Sequence, residues 1–420
     1  MVRSVNDEIE LKLEVDPNSV PLLKQHALLQ AAVPGMRPQL SVYYDTAKGR
    51  IRKQGFSLRV RSVDGGFVQT VKPTTESAGL FARDEWEDPV DSIDPDLGKL
   101  AGTPLGLLKQ QGKLKKLVPV VRSDVQRTSW HLERAGSTIQ VDLDEGSITG
   151  GDRSQQLCEL GLELLDGEPA ELFQVARELA DSVPVRMGVL SKAERGFALA
   201  DGALDRVHKA DAVAVDPGMT VGGAFAVVAF ACIKHFRLNE PLVIASRNPS
   251  ALHQTRVAMR RLRSAFTLFR PAVGDAEFAR LRGELRWFTA ELGDARNLDV
   301  YLERDLVEDE RRTLTGRRQE AYQRVIDTME SKRLRDLMLD LVGWVALSDW
   351  QSSRQALRPI GPYAERRLEK LWSTIEGPAA QIAAWTKRSA MRSAFRSRSC
   401  ATRSNSCAGS IRKRLGCRSG

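Results

Sequence analysis

No run of about eighteen apolar residues occurs in this chain, so no membrane span is expected. The opening Met1-Val2-Arg3-Ser4-Val5-Asn6-Asp7-Glu8 lacks an apolar core and does not read as a secretory signal. None of the five cysteines, Cys158, Cys232, Cys400, Cys407 and Cys417, belongs to a CxxC pair. That argues against a disulfide framework or a thiolate zinc site. Neither GxxxxGK[ST] nor HExxH is present, so a P-loop or a zinc peptidase has no support in the sequence. The expected address is the cytoplasm.

Acids are missing from one end. None follows Glu376, while residues 387–420 hold ten Lys and Arg. Subtracting those ten from the formal net charge of +9 leaves −1 for residues 1–386. The basicity belongs to the tail and is no argument by itself for nucleic acid. Neither nucleic acid nor a membrane is an expected partner. With 420 residues, two or three domains can each bury a core.

What is present begins with Glu8-Ile9-Glu10-Leu11-Lys12-Leu13-Glu14-Val15, a strict alternation of charged and apolar residues. Period two predicts a strand. Alone, its charged face is either wet or turned into a polar cavity. Further strands are expected over 40–45, 56–62, 66–72, 81–88, 118–133, 138–148 and 157–166, with a helix after Gly167-Glu168-Pro169. From about Val221 the period changes to 3.6. Strands followed by helices predict two domains rather than one mixed sheet.

The charged alternation recurs. Arg59 and Arg61 flank Val60, Lys72 ends a strand, and Arg83, Glu85 and Glu87 lie in phase. Arg122 and Arg127 flank Asp124, and the pairs Asp142 with Asp144 and Glu159 with Glu163 are each in phase. A closed antiparallel barrel can turn one such set inward. That lining is tolerable only if anions meet the bases and cations meet the acids.

Glu8-x-Glu10-x-Lys12 resembles the ExExK signature of the CYTH family of triphosphate tunnel enzymes. Leu58-Arg59-Val60-Arg61, Thr70-Val71-Lys72, Arg83 to Glu87, Arg122 to Arg127, Glu159 to Glu163 and Ser191-Lys192-Ala193-Glu194-Arg195-Gly196 follow in family order. The resemblance covers residues 1–205 and implies an eight-stranded antiparallel tunnel with flanking helices. It implies divalent-metal-dependent hydrolysis of inorganic triphosphate. Arg59, Arg61, Lys72, Arg83, Arg122, Arg127 and Lys192 would clamp phosphate oxygens. Glu8, Glu10, Glu159 and Glu163 would hold Mg²⁺ or Mn²⁺. Glu8, Glu10 and Lys12 would be the catalytic group, with Lys12 touching phosphate or water. Glu85 and Glu87 would brace neighbouring bases. One departure is Gly161, where the family often has the middle acid of E-x-E-x-E.

In the helical half, Asn248-Pro249-Ser250 opens a helix well. His253, Arg256, Arg260 and Arg263 then recur at spacings of 3, 4 and 3, one basic stripe without acids. Arg282, Arg286 and Arg296 make a second stripe. Facing stripes would suit an extended polyanion. The stripe helix and Leu292-Gly293-Asp294-Ala295-Arg296-Asn297-Leu298-Asp299-Val300 resemble the CHAD domain, a repeated all-α helical bundle linked to inorganic polyphosphate. Asp294, Asn297 and Asp299 are expected to cap or brace. The expected layout is an α+β multidomain chain. Residues 1–205 form the tunnel, 206–220 a linker, 221–386 the helical domain and 387–420 an aberrant basic tail.

A repeat should show the basic helix again near residue 390. Met391 to Cys407 has no helical period. A codon string can be written that gives Met391 to Ala408 when read one base later and, in its own frame, encodes H-A-V-R-I-Q-V-K-K-L-R-Y-A-I-E-F-L-R, which restores that stripe. A frameshift before Met391 is therefore expected. DNA sequencing that finds no such frame would remove the idea. Polyphosphate binding carries the further expectation of association with polyphosphate granules. The alternatives are a non-catalytic polyphosphate-binding or targeting protein, and an adenylate cyclase or thiamine triphosphatase on the same tunnel.

Overall fold

The computed structural model describes residues 8–63, 65–74, 79–83 and 85–379, without the side chains of 8, 81–83 and 374–379. The tail and the expected second basic helix lie outside the described residues. The chain divides into two compact units, residues 1–206 and 207–420.

Among the described residues the first unit holds ten strands: β1 (Glu8–Glu14), β2 (Gly35–Thr46), β3 (Phe56–Val63), β4 (Gly66–Pro73), β5 (Leu80–Arg83), β6 (Trp86–Val90), β7 (Leu117–Arg134), β8 (Ser137–Gly150), β9 (Arg153–Asp166) and β10 (Arg186–Met187). The hydrogen-bonded order is β10-β1-β9-β8-β7-β2-β3-β4-β6, with β5 on β1, and every pairing is antiparallel. The antiparallel sheet with flanking helices is as expected, while the strands described are ten rather than eight and their path does not close. The strand expected over 81–88 is broken before Trp86, so β5 pairs with β1 while β6 pairs with β4. Among the described residues the hydrogen-bonded ladder stays open there.

Alternation sorts the two faces. Leu11 and Leu13 stand opposite Leu162 and Leu160, all fully buried. On the other face Glu10, Lys12 and Glu14 oppose Glu163, Gly161 and Glu159. The apolar face is covered by short elements and helices. Val42, Tyr44, Leu58, Val60 and Val71 pack with Ile51 of α3 (Arg50–Lys53) and with Leu100, Leu105 and Leu114 around α4 (Gly106–Gln110). The short helices α1 (Val20–Lys24) and α2 (Ala27–Gln30) precede β2. After Pro169, α5 (Ala170–Ser182) buries Leu172, Val175, Ala176 and Leu179, the face its spacing predicts, and packs on β9.

Helix α6 (Lys192–Ala200) begins with a capping box. Ser191 Oγ accepts from Glu194 N at 3.2 Å, and Glu194 Oε2 accepts from Ser191 N at 2.9 Å. Gly196 lets α6 lie against β7, since a Cβ there would collide with the side chain of Val121.

The second unit contains α7 (Val221–Ser246), α8 (Pro249–Val273), α9 (Ala276–Glu291), α10 (Gly293–Leu302), α11 (Glu308–Glu330), α12 (Lys332–Leu347) and α13 (Ile360–Ala379). Among the described residues, α7 alone is long and apolar enough to cross a membrane by length and composition. Its charged Lys234 and Arg237 interrupt the apolar run, and 61% of its most apolar window is buried inside the unit. Phe225 of α7 meets Phe266, Phe269, Trp344 and Trp350 at ring-centroid distances of 5.6–5.7 Å. The expected linker is anchored at its start: Asn239 Oδ1 accepts from His208 N at 3.1 Å, and Asn239 Nδ2 donates to His208 O at 3.0 Å.

Candidate functional site

The polar face of the β-sheet lines a cavity, and the strand register sets its rows. Arg127, Asp144, Glu159 and Glu14 stand opposite one another across β7, β8, β9 and β1. The next row is Ser129, Asp142, Gly161 and Lys12. On the other wall, Tyr43, Arg59, Thr70 and Glu87 run across β2, β3, β4 and β6.

Acids and bases interlock in the first two rows. Lys12 Nζ lies 2.6 Å from Glu10 Oε1 and 3.4 Å from Glu159 Oε1. Lys192, placed at the first turn of α6, bridges Glu159 at 2.7 Å and Asp144 at 2.9 Å. Arg127 grips Asp144 through Nε and Nη2, both at 2.7 Å, and donates to Asp142 at 2.6 Å. Ser129 and Gln140 also donate to Asp142, at 2.6 and 3.0 Å. Arg195, one turn after Lys192, pairs with Glu14.

Burial opposes charge in each of these groups, and the partners decide the outcome. Burial pushes the Glu159 carboxyl up, but Lys192 and Lys12 outweigh it and hold the pKa down at about 2. Burial acts the same way on Asp144, and Lys192 and Arg127 hold it well below the carboxylate range. Burial lowers Lys12, while Glu10 and Glu159 raise it further, so its net shift is upward. Lys192 is likewise raised, by Asp144 and Glu159 against burial. Both shifts favour the charged ammonium.

On the second wall, Arg59 donates to Thr70 Oγ1 at 3.2 Å, and Thr70 donates to Glu87 at 2.9 Å. Glu87 also lies 3.7 Å from Arg59 and 3.3 Å from Arg61. Lys72 pairs with Glu85. Glu10, Lys12, Arg59, Arg61, Lys72, Arg127, Glu163 and Lys192 all line the cavity. Glu8 and Arg83 oppose each other in the β1–β5 register, and their side chains lie outside the described residues.

Arg122 is a correction. It is five residues from Arg127, so a straight strand turns the two to opposite faces. Its side chain is 56% exposed and paired with Asp124, away from the lining. Sequence reading also gave no role to Asp142, Asp144, Glu14 or Arg195. The in-phase Asp142 and Asp144 were the available signal, but only the register against Arg127 shows what they hold.

The donor set fits a hard divalent cation. Glu10, Asp142 and Glu163 put carboxylates on the lining, and Glu159 Oε2 is buried without a hydrogen-bond partner. Arg59 Nε is a buried donor in the same condition, which suits an anion. Among the described residues no three acids converge as a metal cluster. Lys12 instead sits between Glu10 and Glu159.

The basic stripes of the second unit come together. Arg296 of α10 acts on His253 and Arg256 of α8, and Arg282 and Arg286 of α9 act on Arg263. Partial burial, followed by Arg296, Arg260 and Arg256, pushes the His253 pKa below its usual value. Arg256 and Arg263 are also lowered, by burial and then by neighbouring Arg. Arg256 Nη1 is buried without a hydrogen-bond partner. Asp299 is turned away to Arg318 at 2.7 Å and Tyr322 at 2.9 Å, and Asp294 lies 3.8 Å from Arg324.

Residues 6–197 match the CYTH domain and residues 228–398 the CHAD domain. The chain is 30% identical over 196 residues to the inorganic triphosphatase of Haemophilus influenzae, across 46% of this chain and 54% of that protein. It thus spans about half the length of this curated relative. Among solved structures, the CHAD domain from the plant Ricinus communis is 25% identical, with a TM-score of 0.43, covering 48% of this chain and 70% of that one. A putative adenylyl cyclase from Hippeastrum, described as having a dominant triphosphatase activity, is 19% identical, with a TM-score of 0.35, covering 46% and 95%.

Proposed function

We propose that this protein, in which a CYTH domain precedes a CHAD domain, hydrolyses inorganic triphosphate in its first unit and binds inorganic polyphosphate on its second. The observation that carries the first reading is one cavity lined by interlocked acids and bases. Arg59 Nε on its lining is a buried donor without a partner, and Glu159 Oε2, on the carboxylate that Lys12 and Lys192 hold, is a buried acceptor without one.

Arg59, Arg61, Lys72, Arg127 and Lys192 would bind the phosphate oxygens, Arg through paired N–H groups. Arg83 is a further candidate. Asp142 and Asp144 hold the Arg127 plane so that its remaining N–H groups are aimed before substrate arrives. Glu85 and Glu87 do the same for Lys72, Arg59 and Arg61. Glu10, Glu159 and Glu163, with Glu8 on the same strand face, would hold Mg²⁺ or Mn²⁺. The ion would polarise phosphoryl oxygens. Water attacks the terminal phosphorus, the bridging P–O bond breaks, and the water protons pass to phosphate oxygens of the orthophosphate and pyrophosphate products. Lys12 and Lys192 stabilise negative charge and accept no proton.

A non-catalytic binding protein is the second reading, and the bare Gly161 is what favours it. Glu10→Ala separates the two. Under the hydrolytic reading, turnover falls by at least about a hundredfold while tripolyphosphate still binds and the thermal melt stays cooperative. Unchanged turnover in that variant contradicts the assignment.

A further inference from the structure

The corner of the sheet where β2 ends and β7 begins is basic and lacks counter-charge. The register pairs Thr46 with Leu117, so the residues after Thr46 and those before Leu117 lie side by side. Arg50 Nη1 ties them together by donating to Lys113 O at 2.9 Å. The segments 46–54 and 106–118 hold eight Lys and Arg and no acid. Lys48, Lys53, Lys113, Lys115 and Lys116 are exposed, and Arg50 is half-buried. Among the described residues none of these six pairs with an acid. The acids at this corner are committed elsewhere. Asp45 is 2% exposed and accepts from the backbone N–H groups of Thr46, Ile51 and Arg52 at 2.6, 2.9 and 3.1 Å. Asp201 pairs with Arg52 at 2.7 Å. Other bases on the outside of this unit are answered: Lys24 by Glu145, Arg122 by Asp124 and Arg134 by Glu178. None of the six lines the cavity.

We propose that this corner is a docking surface for inorganic polyphosphate, separate from the cavity that takes the short substrate. Like charges gathered without counter-charge repel one another and draw in a polyanion. Polyphosphate carries charge along its whole length and offers neither bases nor apolar groups to recognise. The corner matches that chemistry. Neither segment contains an aromatic ring on which a nucleic-acid base could stack. Leu107 and Val118, 68% and 41% exposed, are its exposed large apolar side chains, and they offer little area to sink into a bilayer. Five of the six bases are lysines, compact charges on flexible stems that can follow a chain of no fixed shape. This inference rests on the reading that the protein handles polyphosphate.

The test measures binding of long-chain polyphosphate to the full chain across a range of salt. Lys113→Gln, Lys115→Gln and Lys116→Gln together should weaken it at least about tenfold at 0.1 M salt and reduce the slope of log K against log salt by about 2. Removing the same charge through Arg312→Gln, Arg354→Gln and Arg358→Gln, exposed bases outside the corner and the stripes, should leave both nearly unchanged. Tripolyphosphate turnover should be the same in both sets. Equal weakening by the two sets overturns the docking surface, and so does unchanged binding in the corner set. Phosphatidylserine vesicles that the parent binds and the corner set does not, with polyphosphate binding intact, would assign the corner to a membrane instead. Both sets are repeated in a chain carrying Arg256→Gln, Arg260→Gln and Arg263→Gln. If those stripe substitutions leave binding at the parent level, the reading of the second unit fails while the corner stands. If they abolish binding and the corner set does nothing, the corner fails while that reading stands.

Discussion

Lys12 and Glu159 illustrate the rule of the cavity at the scale of one residue. Each is nearly buried, and each stays ionised because opposite charges outweigh desolvation. The consequence for pH follows from the sign of the Glu159 shift. Its folded pKa of about 2 lies below the ordinary 4.5, so its contribution to stability is complete above 4.5 and is lost as pH falls toward 2. Asp144 adds to the loss in the same direction. Urea unfolding from pH 7 to pH 2 should show that decline, and Glu159→Gln should make it shallower. Most of the cavity was legible from alternation, because Glu10, Lys12, Arg59 and Arg61 each alternate with a buried apolar neighbour. Arg122 was misread although period two already separated it from Arg127. The meaning of Asp142 and Asp144 was hidden, since it depends on which residue of β7 lies across from each.

At the scale of the element, α6 is held at both ends of its first two turns. Its capping box fixes the start, and Gly196 lets the next turn close on Val121. This is how a helix delivers Lys192 and Arg195 into a site made otherwise of strands. Ser191→Ala removes the cap and should cost about 1 kcal/mol in chemical unfolding. It should also raise KM for tripolyphosphate more than it lowers kcat, because Lys192 loses its fixed start. The motif was readable as Ser191-x-x-Glu194, while the close approach at Gly196 is a tertiary fact. The break between β5 and β6 was equally invisible. Phe81 to Asp88 alternates well enough to read as one strand, but its two ends pair with different neighbours.

At the scale of the whole molecule, two units carry two different answers to negative charge. The sheet interleaves acids with its bases. In the helical stripes, burial and then neighbouring Arg act on His253, Arg256 and Arg263. Polyphosphate would relieve that repulsion and raise the His253 pKa, so binding takes up a proton. Affinity for long-chain polyphosphate should increase as pH falls from 7.5 through the His253 titration below 6.5. Calorimetry at the two ends of that range checks it, and His253→Ala should flatten the dependence. The division of the chain falls at residues 206 and 207, ahead of the period change near Val221, and the composition of the tail accounts for the net charge.

Phosphate release from tripolyphosphate is the most direct measurement of the central claim. The full chain is assayed with Mg²⁺, with Mn²⁺ and with a chelator, and the products are resolved by phosphorus NMR. The account predicts orthophosphate and pyrophosphate in equal amounts with either ion and none with the chelator. Tripolyphosphate that binds but stays intact with both ions would contradict it.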